Sequence, residues 1–123
     1  MKRGLPANGI LLRLLALGHA VVGTTVYRKE LRSIARDGVV AGVPYRGPKA
    51  TAFWFLMPTP LMWLIGRLVS GAEESGDAAT LRSVHRVSMA SAAVAILCMP
   101  LSGFWGWLAI STRGLLDARR APR

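Results

Sequence analysis

The sequence contains few acidic residues, and none of them lies in the interior of a long apolar segment. It has 6 Asp and Glu residues against 16 Lys and Arg residues, which gives a formal net charge of +10. Proton-driven transporters and acid-initiated cyclases usually keep a carboxylate at membrane depth. Both classes are disfavoured here, because the acids lie in predicted loops or at predicted helix ends: Glu30, Asp37, Glu73, Glu74, Asp77 and Asp117.

Cysteine and histidine are scarce as well. Cys98 is the single cysteine, which excludes an intramolecular disulfide, a two-cysteine redox pair and a zinc site of the Cys-Cys type. We interpret it as a small buried apolar residue. His85 lies between two arginines at a predicted membrane edge, in contact with water, whereas His19 lies deeper. A two-histidine metal or haem site is therefore not favoured, and the sequence predicts no metal and no cofactor.

Charged residues are missing from two long segments. Residues 87–110 are 24 residues without a charge, and residues 50–66 are 17. Overall, 52% of residues are hydrophobic and 18% are charged, against roughly 25% charged in an average soluble domain. A helix in water needs a polar face, which these segments lack. The chain is therefore predicted to be an all-α integral membrane protein.

We predict one domain, residues 1–123, with four transmembrane helices at about residues 8–27, 50–70, 82–98 and 101–117. At about 1.5 Å per residue, a 20-residue helix crosses a hydrocarbon core of roughly 30 Å. Pro58 and Pro60 should bend the second span, and the freed carbonyls then need partners from Thr59 or a neighbouring helix. Pro100 and Gly103 favour a turn between the last two spans. A single span over residues 87–110 is the alternative and would give three spans.

Residues 28–49 form the longest connection between spans. Leu31 and Ile34 are spaced like one face of a helix, and Gly38 is a plausible stop. We predict an interfacial helix here, lying on the membrane surface.

Lys and Arg residues lie mostly at the ends of the apolar segments. This placement predicts anionic lipid headgroups as partners, and it argues against nucleic acid. With four spans, the side that holds the N-terminus has nine of them and the first loop has six. The excess predicts a multi-pass protein of the inner (plasma) membrane with both termini in the cytoplasm.

Two short aromatic motifs carry a resemblance to a known family. They are AFWFL at residues 52–56 and MPLSGFW at residues 99–105, and a Gly-His pair lies in the first span at Gly18 and His19. On these motifs the chain resembles a bacterial family of small multi-pass membrane proteins known only as a domain of unknown function. The resemblance covers most of the chain. It implies a helical membrane fold, and it implies no activity, substrate or cofactor.

Small residues form a stripe along two of the predicted helices. The first helix has Ala16, His19, Ala20 and Gly23 on one face, and the third has Ser88, Ser91, Ala92 and Ala95. Small residues let membrane helices approach closely. We expect the two stripes to face each other or a common cavity.

His19 is the candidate catalytic or ligand-binding residue, because an ionisable group at membrane depth suggests function. The alternative is a neutral histidine that holds helices in register through a hydrogen bond to a serine or a backbone carbonyl. The tryptophans either line a pocket for an apolar tail or anchor the helices at the interface. The candidate ligand pocket consists of His19, Ser88, Ser91, Trp54 and Trp105.

Two function classes remain open, and the sequence does not decide whether the protein is an enzyme. The first is a non-enzymatic accessory protein or homo-oligomer, held to a second copy or another membrane protein by its small-residue stripes. The second is a binding protein or enzyme that acts on an apolar lipid or isoprenoid, with His19 as its polar group. The absence of buried acids and of a cofactor motif favours the first.

Overall fold

The computed structural model describes residues 7–120, and this part of the chain is helical with no strand. Its helices are α1 (Asn8–Val26), α2 (Arg28–Asp37), α3 (Pro48–Leu56), α4 (Pro58–Ser75), α5 (Ala78–Cys98) and α6 (Phe104–Arg120). The all-α prediction is confirmed. Helices lie in each of the four segments predicted as spans, with both α3 and α4 in the second.

The four long helices form a bundle in which α1 and α5 are diagonal neighbours. α1 packs against α4 and α6, and α5 packs against the same two helices, whereas α1 and α5 make no contact with each other. Each long helix contributes one residue to the central apolar cluster, which consists of Leu12, Val69, Ala92 and Trp107.

The second apolar segment, Pro48–Ser75, consists of two helices that meet at Met57. α3 ends at Leu56, and α4 begins at Pro58. Pro58 and Pro60 therefore lie in the first turn of α4, where backbone N–H groups have no intrahelical acceptor and proline is tolerated. The helix is interrupted next to these prolines, and the bend expected there stays a prediction.

Two helix ends depend on glycine in a left-handed conformation. α2 ends at Asp37, and Gly38 follows with φ 104°, at the predicted stop. α4 ends at Ser75, and Gly76 follows with φ 69°. Because α4 continues to Ser75, residues 71–75 are helical, although the predicted second span ended at about residue 70. Asp77 then caps α5 by accepting hydrogen bonds from the amides of Ala79 and Thr80 at 3.1 and 3.0 Å.

The chain turns between α5 and α6, at residues 99–103. Trp105 Nε1 donates a hydrogen bond to the carbonyl oxygen of Pro100 at 2.8 Å, which ties the start of α6 to the turn. A continuous helix over residues 87–110 is therefore not formed. Cys98, at the end of α5, is exposed, so its interpretation as a buried residue is wrong.

The exterior of the bundle is unlike that of a water-soluble protein. Large apolar side chains cover the outside of the bundle, among them Leu14, Leu17, Val21, Leu64, Leu68, Val87, Val94 and Leu97. Buried polar residues include Asn8, His85, Ser88 and Ser111. Three segments are long and apolar enough to cross a membrane: Asn8–Val26, Pro48–Ser75 and Ala78–Cys98. Together these features indicate a membrane protein, and three spans fit the structure.

Candidate functional site

His19 bridges α1 and α3. Its Nε2 lies 2.7 Å from the carbonyl oxygen of Phe55, and its ring stacks on the Phe55 ring with centroids 4.3 Å apart. A carbonyl oxygen only accepts hydrogen bonds, so Nε2 carries the hydrogen. Phe55 is in the last turn of α3, where carbonyl groups lack an intrahelical donor. Helix α1 thus supplies a hydrogen-bond donor to a carbonyl group at the end of α3. A histidine bonded to a backbone carbonyl was one of the two alternatives from the sequence.

Two residues of the α1 stripe, His19 and Gly23, lie against α3. A Cβ added at Gly23 would lie 2.4 Å from Leu56 Cδ2 and 2.9 Å from Phe55 Cδ1, so this glycine permits a close helix contact. On α5, Ser88 and Ala92 are buried, whereas Ser91 is exposed. Because α1 and α5 are diagonal in the bundle, the two stripes do not face each other directly, and the alternative of a common cavity stays a prediction.

The five predicted pocket residues do not converge on one site. Trp54 is 68% exposed and Trp105 is 55% exposed. Trp54 lines an open groove near His19, together with Tyr27, Tyr45, Phe55 and Met99. Trp105 lies on a different groove, formed by residues of α6.

A network of polar side chains, which the sequence analysis did not find, joins three helices at the end of the bundle that holds the start of α1. Glu73 accepts hydrogen bonds from the backbone amides of Asn8 and Gly9, at 2.9 and 3.1 Å. Asn8 Nδ2 also donates to Asp117 Oδ2 at 3.2 Å. A carboxylate at the start of a helix pairs otherwise unsatisfied N–H groups and complements the helix dipole. We call Asn8, Glu73 and Asp117 the terminal cluster.

Arg13 lies against α4, one turn above the terminal cluster. It donates to Ser70 Oγ at 3.4 Å, and its guanidinium carbon is 5.7 Å from the centre of the Trp63 ring. A Cβ at Gly66 would lie 2.7 Å from Arg13 Cγ, so Gly66 makes room for this arginine. Ser70 and the Trp63 ring are therefore its neighbours in the structure.

His85 is fully buried, at 0% exposure, so its predicted position in water is wrong. The ring lies on Gly114 of α6, where an added Cβ would be 2.2 Å from His85 Nε2. Ser111, one turn away on α6, is also fully buried. The missed signal is the spacing Ser111, Gly114, Asp117, which places a small residue between two polar residues on one helix face.

Nearly the whole chain matches one protein family. DUF6463, a family of unknown function, matches residues 4–121. The chain belongs to this family. Searches of the curated proteins and of the solved structures found no match. Membership of DUF6463 confirms the resemblance to a domain of unknown function, and it assigns no activity.

Metal-ligand clusters of three or more His, Cys, Asp or Glu residues are not found within residues 7–120 of this DUF6463 protein. Two carboxylates lie outside the apolar segments and are stabilised in their charged form. The Lys49 ammonium, 2.7 Å away, and the Ser33 hydroxyl hold the pKa of Asp37 below its usual value. The Thr80 hydroxyl and amide lower the pKa of Asp77.

Proposed function

We propose that this DUF6463 protein is a four-span protein of the inner (plasma) membrane that acts as a non-enzymatic accessory or homo-oligomeric component. The observation that carries the membrane assignment is the apolar exterior of the bundle, where large apolar side chains of α1, α4 and α5 are exposed. Lipid is the solvent in which an apolar exterior is stable, whereas water would drive it to aggregate.

The pairing of α6 with α5 supports a fourth span. His85 packs on Gly114, and the Thr112 hydroxyl lies 3.8 Å from Met89 Sδ, so the two helices run antiparallel in continuous contact. α6 has 17 residues, which corresponds to about 26 Å. If α5 crosses the membrane, α6 returns alongside it over nearly the same depth.

The positions of the helix ends support a common side for both termini. The terminal cluster brings the start of α1 next to the end of α6 and to the end of α4. Six of the nine basic residues assigned to this side are within the described part of the chain: Arg67, Arg82, Arg86, Arg113, Arg119 and Arg120. Lys2, Arg3 and Arg123 lie outside it. The excess of positive charge favours the cytoplasm, where anionic lipid headgroups attract such residues.

The accessory role is supported by the contacts of His19. Its Nε2 donates a hydrogen bond to the carbonyl oxygen of Phe55, and the Phe55 ring covers one face of the imidazole ring. These contacts fit a residue that fixes α3 against α1. The centre of the bundle is filled by the apolar cluster, which leaves the outer helix faces for contact with a second copy or another membrane protein.

One observation favours a second candidate, a protein that binds a lipid or an isoprenoid. The open groove lined by Tyr27, Tyr45, Trp54, Phe55 and Met99 is aromatic, and Phe55 connects it directly to His19. An apolar chain could lie along this groove, with its polar end near the histidine.

Cysteine labelling in whole cells tests the four-span topology. In a Cys98→Ser background, single cysteines replace Tyr45, Ser75 or Arg120, all of which are exposed. A membrane-impermeant maleimide should label Tyr45→Cys in intact cells, and label Ser75→Cys and Arg120→Cys only after permeabilisation. Labelling of Arg120→Cys together with Tyr45→Cys would mean three spans. The opposite pattern at all three positions would put the termini outside.

Native mass spectrometry in a mild detergent, with an absorbance spectrum of the same sample, separates the two roles. The accessory role predicts a defined oligomer, or a protein without bound lipid, for both the wild type and His19→Ala. A bound lipid, isoprenoid or chromophore of defined mass that is lost in His19→Ala would replace it with the binding role.

A further inference from the structure

Several buried polar atoms within residues 7–120 have no protein hydrogen-bond partner. They include both ring nitrogens of His85, the hydroxyl of Ser111 and Asn8 Oδ1. Each of these residues is at least nine-tenths buried, with exposures of 0%, 0% and 4%. Buried polar groups are nearly always paired with protein or ordered water, because leaving them unpaired costs free energy.

These atoms follow one another along the interface of α5, α6 and α1. The His85 ring lies on Gly114, and Ser111 and Asp117 flank this glycine at three residues on either side of the same helix face. Asp117 holds Asn8 by a hydrogen bond of 3.2 Å. The side chain of Asp117 is 50% exposed. These polar groups therefore extend from a buried histidine to an exposed carboxylate.

The chemistry of the unpaired atoms identifies the ligand class. Asn8 Oδ1 only accepts hydrogen bonds, a serine hydroxyl both donates and accepts, and a neutral imidazole has one nitrogen of each kind. An anion would satisfy only the donors, and a cation only the acceptors. Water satisfies both kinds. A buried water molecule usually makes about three such hydrogen bonds.

We propose that the bundle holds internal water at His85 and Ser111, in a hydrated inlet that opens at the terminal cluster. This inference rests on the proposed function, because the inlet matters only if the bundle lies in a membrane. There, it would give water access to a histidine inside the bundle. His85 is seven residues into α5, about 10 Å from its start. Protons in the water on this side can therefore reach the imidazole without crossing the apolar exterior.

Water-edited solid-state NMR tests the inlet in bilayers of deuterated lipid. Because the chain has 2 histidines, isotopic labelling of histidine and valine gives two sets of imidazole signals, and His19→Gln identifies that of His85. We expect the His85 ring to receive magnetisation from water as fast as the exposed loop residues Val39 and Val40 do. Transfer as slow as that to Val69 in the apolar cluster would overturn the proposal.

A pair of variants of equal volume locates the water. Ser111→Val removes the hydroxyl, and Ser111→Thr keeps it while adding the same volume. Loss of water transfer to His85 in the valine variant alone supports a site at Ser111, and equal behaviour of the two variants overturns it. Transfer from protonated lipid to the exposed Val21 and Val94 reports membrane insertion separately, so failure of the inlet is distinguishable from failure of the membrane assignment.

Discussion

The two histidines of this protein lie on the diagonal helices α1 and α5 and have opposite surroundings. His19 is half-buried, and a broken helix offers it the carbonyl oxygen of Phe55. His85 is fully buried between intact helices, where its ring nitrogens find no protein partner within residues 7–120. The difference shows that the backbone decides which role a histidine can take. A helix end supplies free carbonyl groups, and an unbroken helix supplies none.

The largest effect should come from filling the space that His85 uses. Gly114→Ala would place a Cβ 2.2 Å from His85 Nε2, and overpacking of this kind costs about 1–3 kcal/mol. We expect a lower thermal unfolding temperature in detergent.

The matched control is Gly18→Ala, because a Cβ at Gly18 would meet nothing within 4 Å. This change should be neutral or stabilise the helix by up to about 1 kcal/mol. Equal effects of the two substitutions would show that His85 does not pack on Gly114.

The stability of the fold should be sensitive to loss of the single hydrogen bond between His19 and Phe55. His19→Phe keeps an aromatic ring for stacking on Phe55 but leaves its carbonyl oxygen unpaired, and we expect a loss of about 1–3 kcal/mol in the free energy of unfolding. Denaturation in mixed micelles measures it. His19→Gln, which keeps a donor, should recover part of the loss. A wild-type stability for His19→Phe would contradict the structural role.

The stability that the terminal cluster contributes should depend on Glu73 and not on the adjacent Glu74. Glu73→Gln weakens the hydrogen bonds that cap α1 at Asn8 and Gly9, and a lost cap costs about 0.5–2 kcal/mol. The exposed Glu74 provides the matched control as Glu74→Gln. Thermal unfolding of both variants in the same detergent should show a loss for Glu73→Gln only, and the account of the cap fails if both variants behave alike.

The smallest effect should be a pH dependence at the loop between α2 and α3. Lys49 and Ser33 lower the pKa of Asp37 in the folded protein, so the contact stabilises the fold above the unfolded pKa of about 3.9. This contribution is lost as the pH falls through the folded pKa. The protection of α2 amides from exchange, relative to their intrinsic exchange rate at each pH, should fall at acid pH in the wild type and already at neutral pH in Lys49→Ala. A neutral-pH rate in Lys49→Ala equal to that of the wild type would exclude the ion pair.

Local patterns predicted much of the fold. The uncharged segments, the prolines at the helix break and Gly38 each act through neighbours in the sequence, so the helices and their ends followed from simple rules. The end of α4 was missed because the polar residues after Ser70 suggested a loop. Ala72, Glu73 and Glu74 nevertheless favour a helix, and the glycine with positive φ follows only at Gly76.

The candidate site was less predictable, because it depends on which helices touch. His85 was placed in water since arginines flank it at residues 82 and 86. It shares a helix face with Ser88 and Ala92, which are buried, and it meets Gly114 of α6. The contacts of Asn8 with Glu73 and Asp117 join residues 65 and 109 positions apart. Spacing along one helix does not reveal such pairs.

Disulfide cross-linking between α1 and α6 tests the central claim, that α6 returns through the membrane to the start of α1. In a Cys98→Ser background, Asn8→Cys and Asp117→Cys should form an intramolecular disulfide in isolated, oxidised membranes, because these side chains are in contact. The pair Asn8→Cys and Phe104→Cys, at the other end of α6, should not. Cross-linking of the first pair alone is the predicted result. Cross-linking of the second pair, or of neither, would contradict the four-helix membrane bundle.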